Sequence, residues 1–165
     1  IRNLICAGIS SILLPNVGGW ASSLTMMGEV KRPDGKAWYQ TIKKPAWTAP
    51  NWIFGPAWTA LYCGMGYASY MVYRDCGGFT DESVYPLALY GTQLVLNWIL
   101  FDLIYITALD FAALSTTALF ALVNKRTLLL MTPYLAWLSY ATCLNLAIWR
   151  LNKDGGDEDE KKIME

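Results

Sequence analysis

TQLVLNWILFDLIYITALDFAALSTTALFALVNKR, residues 92–126, holds neither glycine nor proline, and before Lys125 and Arg126 its only charges are Asp102 and Asp110. A helix needs about 20 predominantly apolar residues to cross a hydrocarbon core. This stretch is too long for one crossing and fits two, with the reversal near 102–110, because an unpaired carboxylate avoids the bilayer centre. Upstream lie a run at 84–103, a hinge at 74–83 holding Gly77 and Gly78, and a second long run at 48–73. Before those come a polar connection at 28–47 and a first run at 4–27, interrupted only by Pro15, Gly18 and Gly19. Downstream, Lys125 and Arg126 close the run at 106–124, and a last one follows at 128–151. The expected fold is an all-α integral membrane protein, a bundle of five transmembrane helices. Its charged tail, 152–165, reads as solvated and disordered.

Composition agrees with that reading. The chain of 165 residues is 55% hydrophobic, 14% aromatic and only 16% charged, against roughly a quarter charged in soluble domains. Its charges gather between the apolar runs instead of recurring every turn, as they would on a soluble amphipathic bundle. A signal peptide does not fit the first run, which is too long and lacks a small-residue cleavage pattern. Net charge is zero with no basic stripe, so nucleic acid is not an expected partner. Histidine is absent, which removes His-based acid–base chemistry, His-paired nucleophiles and His metal sites. No catalytic residue, metal site or cofactor is expected. Cys6, Cys63, Cys76 and Cys143 form no CxxC pair, and those within apolar runs read as buried free thiols.

Five crossings place the termini on opposite sides. Arg2, Arg74, Lys125 and Arg126 fall on one side; Lys31, Arg32, Lys36, Lys43, Lys44, Arg150, Lys153, Lys161 and Lys162 fall on the other. The positive-inside rule then puts the first loop and the C-terminus in the cytosol. Ala60, Gly64 and Ala68, four residues apart, form a small-residue ridge on the second run. Packing within the monomer is its first reading, with a homodimer seam as the alternative.

Residues 38–58, WYQTIKKPAWTAPNWIFGPAW, interleave tryptophans with prolines. Tryptophan and tyrosine alone would make an interfacial belt. Proline lowers a loop's conformational entropy, and aromatics offer large flat surfaces with a polar tip. Together they suit a lid over a flat, largely apolar guest such as a sterol, a tetrapyrrole or an aromatic drug. The stretch from Trp38 on to Tyr70 resembles the signature of the translocator protein family, also called the peripheral benzodiazepine receptor and, in bacteria, the tryptophan-rich sensory protein. LLPNVGGW at 13–20, GGFT at 77–80, LALYGTQLVLNW at 87–98 and PYLAWLSYATCLN at 133–145 extend the likeness over most of the chain in family order, and GGFT points to animal-type members.

The resemblance implies five transmembrane helices with a cytosolic first loop capping a ligand pocket. It implies a location in the mitochondrial outer membrane, and ligands among cholesterol, porphyrins and isoquinoline or benzodiazepine-type drugs, besides membrane lipids. By motif position, the implied pocket residues are Trp38 and Tyr39 in the loop, Trp52 and Trp58 on the second run, Asn97 and Trp98 on the third, and Trp137 and Ala141 on the fifth. Trp58 and Trp137 match tryptophans implicated in light-driven porphyrin breakdown by bacterial members. A porphyrin-degrading enzyme is thus the alternative to a non-enzymatic binding and transport protein. A channel would rest on Asp102 and Asp110 alone. Three departures stand out: Ala49-Pro50 replaces a double proline, the segment after Trp98 is short, and Leu146-Ala147 occupy the tyrosine positions of a C-terminal sterol motif. That motif keeps its basic residue, Arg150.

Overall fold

The computed structural model describes residues 2–29, 42–99 and 103–164, with side chains placed over 4–23, 42–98 and 106–153. Five helices occupy the described residues: α1 (Arg2–Glu29), α2 (Asn51–Asp75), α3 (Asp81–Ile99), α4 (Leu103–Val123) and α5 (Thr127–Met164). They pack as a ring in the order α1, α2, α5, α4, α3, with α3 returning to α1. Three stretches, Leu4–Ser23, Ile106–Val123 and Thr127–Lys153, are long and apolar enough to cross a membrane.

The distribution of polarity is that of a bundle solvated by lipid. Leu13, Leu14 and Val17 on α1, Phe111 and Leu122 on α4, and Leu129 on α5 all lie exposed, while Gln93, Thr116 and Thr127 are fully buried. In water such a continuous apolar exterior would drive association. In lipid the outer face costs nothing, and helices are joined by close packing and by polar contacts between them. Cys6 and Cys143, expected to be buried, are exposed on this outer face for the same reason; all four cysteines are free.

Glycine sets the closest approach. A methyl on Gly66 would run into the Ser11 carbonyl oxygen and lie 2.8 Å from Ile12 Cα, so α1 and α2 touch backbone to backbone there. Gly18 and Gly19 on α1 give way to rings: a methyl on the first would collide with the Trp98 indole, and one on the second with the Tyr62 ring. Of the small-residue ridge, Ala68 is buried and Gly64 faces the Leu130 carbonyl of α5, so part of the ridge serves packing inside the chain.

The helix ends explain where the boundaries differ from the sequence reading. α3 begins at Asp81, not near 84, because Ser83 Oγ accepts the Thr80 N–H (2.9 Å) and the acids Asp81 and Glu82 sit in the positive first turn. α2 closes in a Schellman turn, with the Gly78 N–H donating to the Tyr73 carbonyl (2.8 Å) and the Gly77 N–H to that of Arg74 (3.1 Å). Both glycines adopt positive φ, 77° and 119°, and Phe79 packs on Tyr73. Asp102 lies outside the described residues. Asp110, however, is inside α4 and not at a reversal, since the helix starts at Leu103; its carboxylate accepts the Thr142 hydroxyl of α5 at 2.8 Å. Beyond its apolar part, α5 continues to Met164.

At the far end from the first loop, Asn124 links the two turns. Its side-chain amide donates to Asp75, which also pairs with Arg74 at 2.7 Å, and its Oδ1 accepts the Arg126 N–H at 2.9 Å. Burial pushes the Asp75 carboxyl up, but the bonds from Asn124 and Arg74 outweigh it and leave the group below its ordinary range. A lowered folded value stabilises the fold above the unfolded pKa of about 4 and is lost as pH falls through the folded value. Asn124→Ala should therefore shrink the loss of thermal stability between pH 5 and pH 2, read by unfolding in detergent; an unchanged acid dependence would remove Asp75 from that role. Gly66→Ala should destabilise by roughly 1–3 kcal/mol through overpacking. Gly55→Ala, with nothing within 4 Å of the added methyl, should not. Equal melting temperatures for the two variants would contradict the backbone contact.

Candidate functional site

Aromatic side chains at helical spacing run from the first loop into the bundle. Trp58 and Tyr62, four residues apart on α2, stack with centroids 5.5 Å apart at 29°. Trp58 meets Trp137 of α5 edge-on at 6.4 Å. Trp137 also contacts Phe54 at 5.6 Å and Tyr140, one turn further along α5, at 5.5 Å. Tyr140 in turn carries Trp47 at 5.7 Å. Such pairs add to area burial and fix ring orientation.

The inner end of this chain is polar. The Tyr62 hydroxyl donates to Asn97 Oδ1 and Asn97 Nδ2 donates to the Tyr134 hydroxyl, each at 3.0 Å, so three helices meet at one amide. Tyr134 is wholly buried and, with Phe120, Met65 and Leu138, fills the centre. The open space lies beside that plug. A groove of about 510 Å³ runs between α2 and α5, lined by Ala57, Ala60, Leu61, Pro133, Ala136, Trp137 and Tyr140. Three alanines and a proline leave the room; the two aromatics form a wall. Ala60, Pro133 and Ala136 are exposed, so the groove opens sideways. Its size lies within the range of about 300–1,000 Å³ for small-molecule sites.

The residues singled out in the sequence divide accordingly. Trp58 and Trp137 touch, and Asn97 sits at the central amide contact. Trp98 belongs to the α3 end, its indole against Gly18, while Ser22 Oγ caps its orphan carbonyl at 2.6 Å. The indole N–H groups of Trp98 and Trp137 are buried with no partner among the described residues. Ala141 is half-buried one turn beyond Trp137, and its carbonyl accepts Asn145 Nδ2 at 3.0 Å. Trp52 stands apart, 74% exposed in the first turn of α2. Arg150 is exposed near the end of the apolar part of α5. Trp38 and Tyr39 lie outside the described residues.

Sequence reasoning did not pick out Tyr62, Tyr134, Tyr140 and Phe54. Tyr62 follows Trp58 by four residues, and Tyr134 and Tyr140 flank Trp137 by three on either side, which is same-face spacing. That signal was available. Among the described residues no group of three metal-ligating side chains comes together. The arrangement offers apolar area, aromatic faces and a few donors: means of binding.

Comparison with known proteins gives the chain a family. Residues 11–150 match the TspO/MBR family. The chain is 39% identical to the translocator protein of Homo sapiens over 154 residues, covering 85% of this chain and 86% of the relative. It is 37% identical to the tryptophan-rich protein TspO of Archaeoglobus fulgidus over 155 residues, covering 87% and 95%. To protein CrtK of Rhodobacter capsulatus it is 34% identical over 127 residues, covering 70% and 79%. A helical bundle with an apolar exterior, the tryptophan-rich α2 and α5 faces and a family match over most of its length together make this chain a membrane protein of the TspO/MBR family.

Proposed function

We propose that this protein binds flat, largely apolar ligands (cholesterol, porphyrins and aromatic drug-like molecules) in the groove between α2 and α5, and so supports lipid or tetrapyrrole transport. The observation that carries the reading is the apolar groove of about 510 Å³, walled by Trp137 and Tyr140 and open to the side. A ligand dissolved in the bilayer reaches such a groove without crossing water. The wall is also rigid: Trp137 is held by Phe54, Trp58 and Tyr140, so little side-chain freedom is lost on binding. All five helices cross the membrane in this reading, α2 and α3 within the ring formed with the three most apolar. Resemblance to the human translocator protein supports a mitochondrial outer membrane location, and the excess of Lys and Arg on the first-loop side supports a cytosolic C-terminus. Binding and transport, not catalysis, is the activity.

The edge-on contact of Trp58 with Trp137 favours one other reading, light-dependent porphyrin breakdown with these indoles as redox-active groups. Loss of porphyrin absorbance under illumination, dependent on both tryptophans, would establish it.

Quenching of tryptophan fluorescence by protoporphyrin in bilayer discs tests the binding reading. Trp137→Ala should weaken affinity by about 2 kcal/mol, or ~30-fold, as expected for one well-packed aromatic anchor. Trp52→Ala, which removes an exposed ring away from the groove, should leave affinity within twofold. Equal affinities for wild type and Trp137→Ala would place the ligand elsewhere.

A further inference from the structure

Where the apolar part of α5 ends, cations lie along one arc of the helix, and the segment leading into α2 adds another. Asn152 holds the Lys43 peptide on both sides: its Oδ1 accepts the Lys43 N–H at 3.0 Å, and its Nδ2 donates to the Lys43 carbonyl at 2.9 Å. The second hydrogen of Nδ2 goes to the Ile148 carbonyl at 2.8 Å, which fixes the rotamer. At about 100° per residue, Trp149, Lys153 and Arg150 follow Asn152 round the helix in that order. The Lys153 ammonium sits 4.9 Å over the centre of the Trp149 ring, a cation–π contact that orients it. Lys43, Trp149, Arg150 and Lys153 are all exposed. Two segments 109 residues apart thus present their cations side by side.

Depth and charge together say what meets this patch. The part of α5 apolar enough to cross a membrane runs Thr127–Lys153, so Lys153 stands where hydrocarbon gives way to headgroups. The exposed indole of Trp149 belongs to the side-chain type that settles at that boundary. Among the described residues the one ion pair joins Arg74 to Asp75 at the other end of the bundle, and no described carboxylate neutralises Lys43, Arg150 or Lys153. The acids of the tail, Asp154 and Asp157–Glu160, follow further along α5, away from its apolar part. Cations clustered beside a membrane span attract anionic lipid, roughly fivefold per cation. α5 alone would offer Lys153 and Arg150; the clasp adds Lys43 on the flank next to Trp149.

We propose that Lys43, Lys153 and Trp149, with Arg150 beside them, form a binding site for the headgroup of an anionic phospholipid at the membrane surface. The two ammonium groups take the phosphate oxygens and, in phosphatidylserine, the carboxylate, as charge-assisted hydrogen bonds. The indole covers the glycerol end of the acyl chains. Asn152 is a positioning residue, which touches no lipid and brings Lys43 into the site. None of the residues lining the α2/α5 groove takes part, so the site stands whatever the groove binds.

Native mass spectrometry tests this on the full chain, given equal amounts of phosphatidylserine and phosphatidylcholine with the same acyl chains in detergent micelles. Wild type should retain phosphatidylserine over phosphatidylcholine by about fivefold or more. Lys43→Gln with Lys153→Gln should bring the two lipids within twofold of each other. Lys125→Gln with Arg126→Gln, which removes the same charge at the other end of the bundle, should leave the preference intact. Asn152→Ala is the sharper variant, because it changes no charge: freeing the Lys43 peptide should cut the preference at least twofold. Melting temperatures in detergent show that each variant is folded, and if Asn152→Ala is not, the two charge-matched pairs still decide. Equal retention of both lipids by wild type would overturn the proposal. So would an equal fall in the two pairs, which is the mark of net charge alone, or an undiminished preference in folded Asn152→Ala. Displacement of the lipid by an equal concentration of soluble glycerophosphoserine would assign the patch to a free anion and overturn the lipid.

Discussion

The side-chain amide of Asn97 accepts from Tyr62 and donates to Tyr134, both at 3.0 Å, and so joins α2, α3 and α5 at one point. In lipid there is no hydrophobic force to press apolar helices together, because the tails are as apolar as the side chains. What remains is close packing and hydrogen bonds whose loss would strand polar groups in hydrocarbon. The central amide does that work here, and the arrangement of the aromatic residues depends on it. Tyr62 is held by its hydroxyl, its ring fills the recess over Gly19, and its outer face is then a fixed platform on which Trp58 stacks. Trp58 in turn sets the edge against which Trp137 rests. A change at Asn97 would be felt at the groove wall, two rings away.

The same plug directs where open space is left. With Tyr134, Phe120, Met65 and Leu138 occupying the centre, the space left by small residues lies on the lateral α2/α5 face. Ala57, Ala60 and Ala136 keep that face open, while Trp137 and Tyr140 provide a flat surface. Polar order is thus kept inside and open space outside. A water-soluble protein would arrange these the other way round.

Much of this was legible in the sequence, for identifiable reasons. The apolar runs are long, and their interruptions are charges, prolines and glycines, so the existence and order of five helices could be read from them. The tryptophans leading into α2 stood out by their density and Trp137 of α5 by the family resemblance, and Trp58 with Trp137 do meet. The end of α3 at Ile99 was not legible, because no glycine or proline marks it and Asp102 and Asp110 looked like the turn. Asp110 has a partner in Thr142, and a pairing 32 residues apart leaves no local trace. The side of the bundle on which the groove opens was also hidden. Helical periodicity tells which residues share a face, not whether that face looks inward or along a seam to the lipid. The contact of Asn152 with the Lys43 peptide was hidden for a related reason: beside a charged run it read as solvent-facing, yet its partner is 109 residues away.

The central claim is that the ligand lies in the lateral groove and not within the ring of helices. A diazirine-bearing protoporphyrin, bound in bilayer discs, photolysed and mapped by peptide sequencing, tests it most directly. Label on Ala57, Ala60 and Leu61 of α2 and on Pro133, Ala136 and Tyr140 of α5 is the predicted result. Label concentrated on residues of α1, α3 and α4, with those six positions clean, would contradict it.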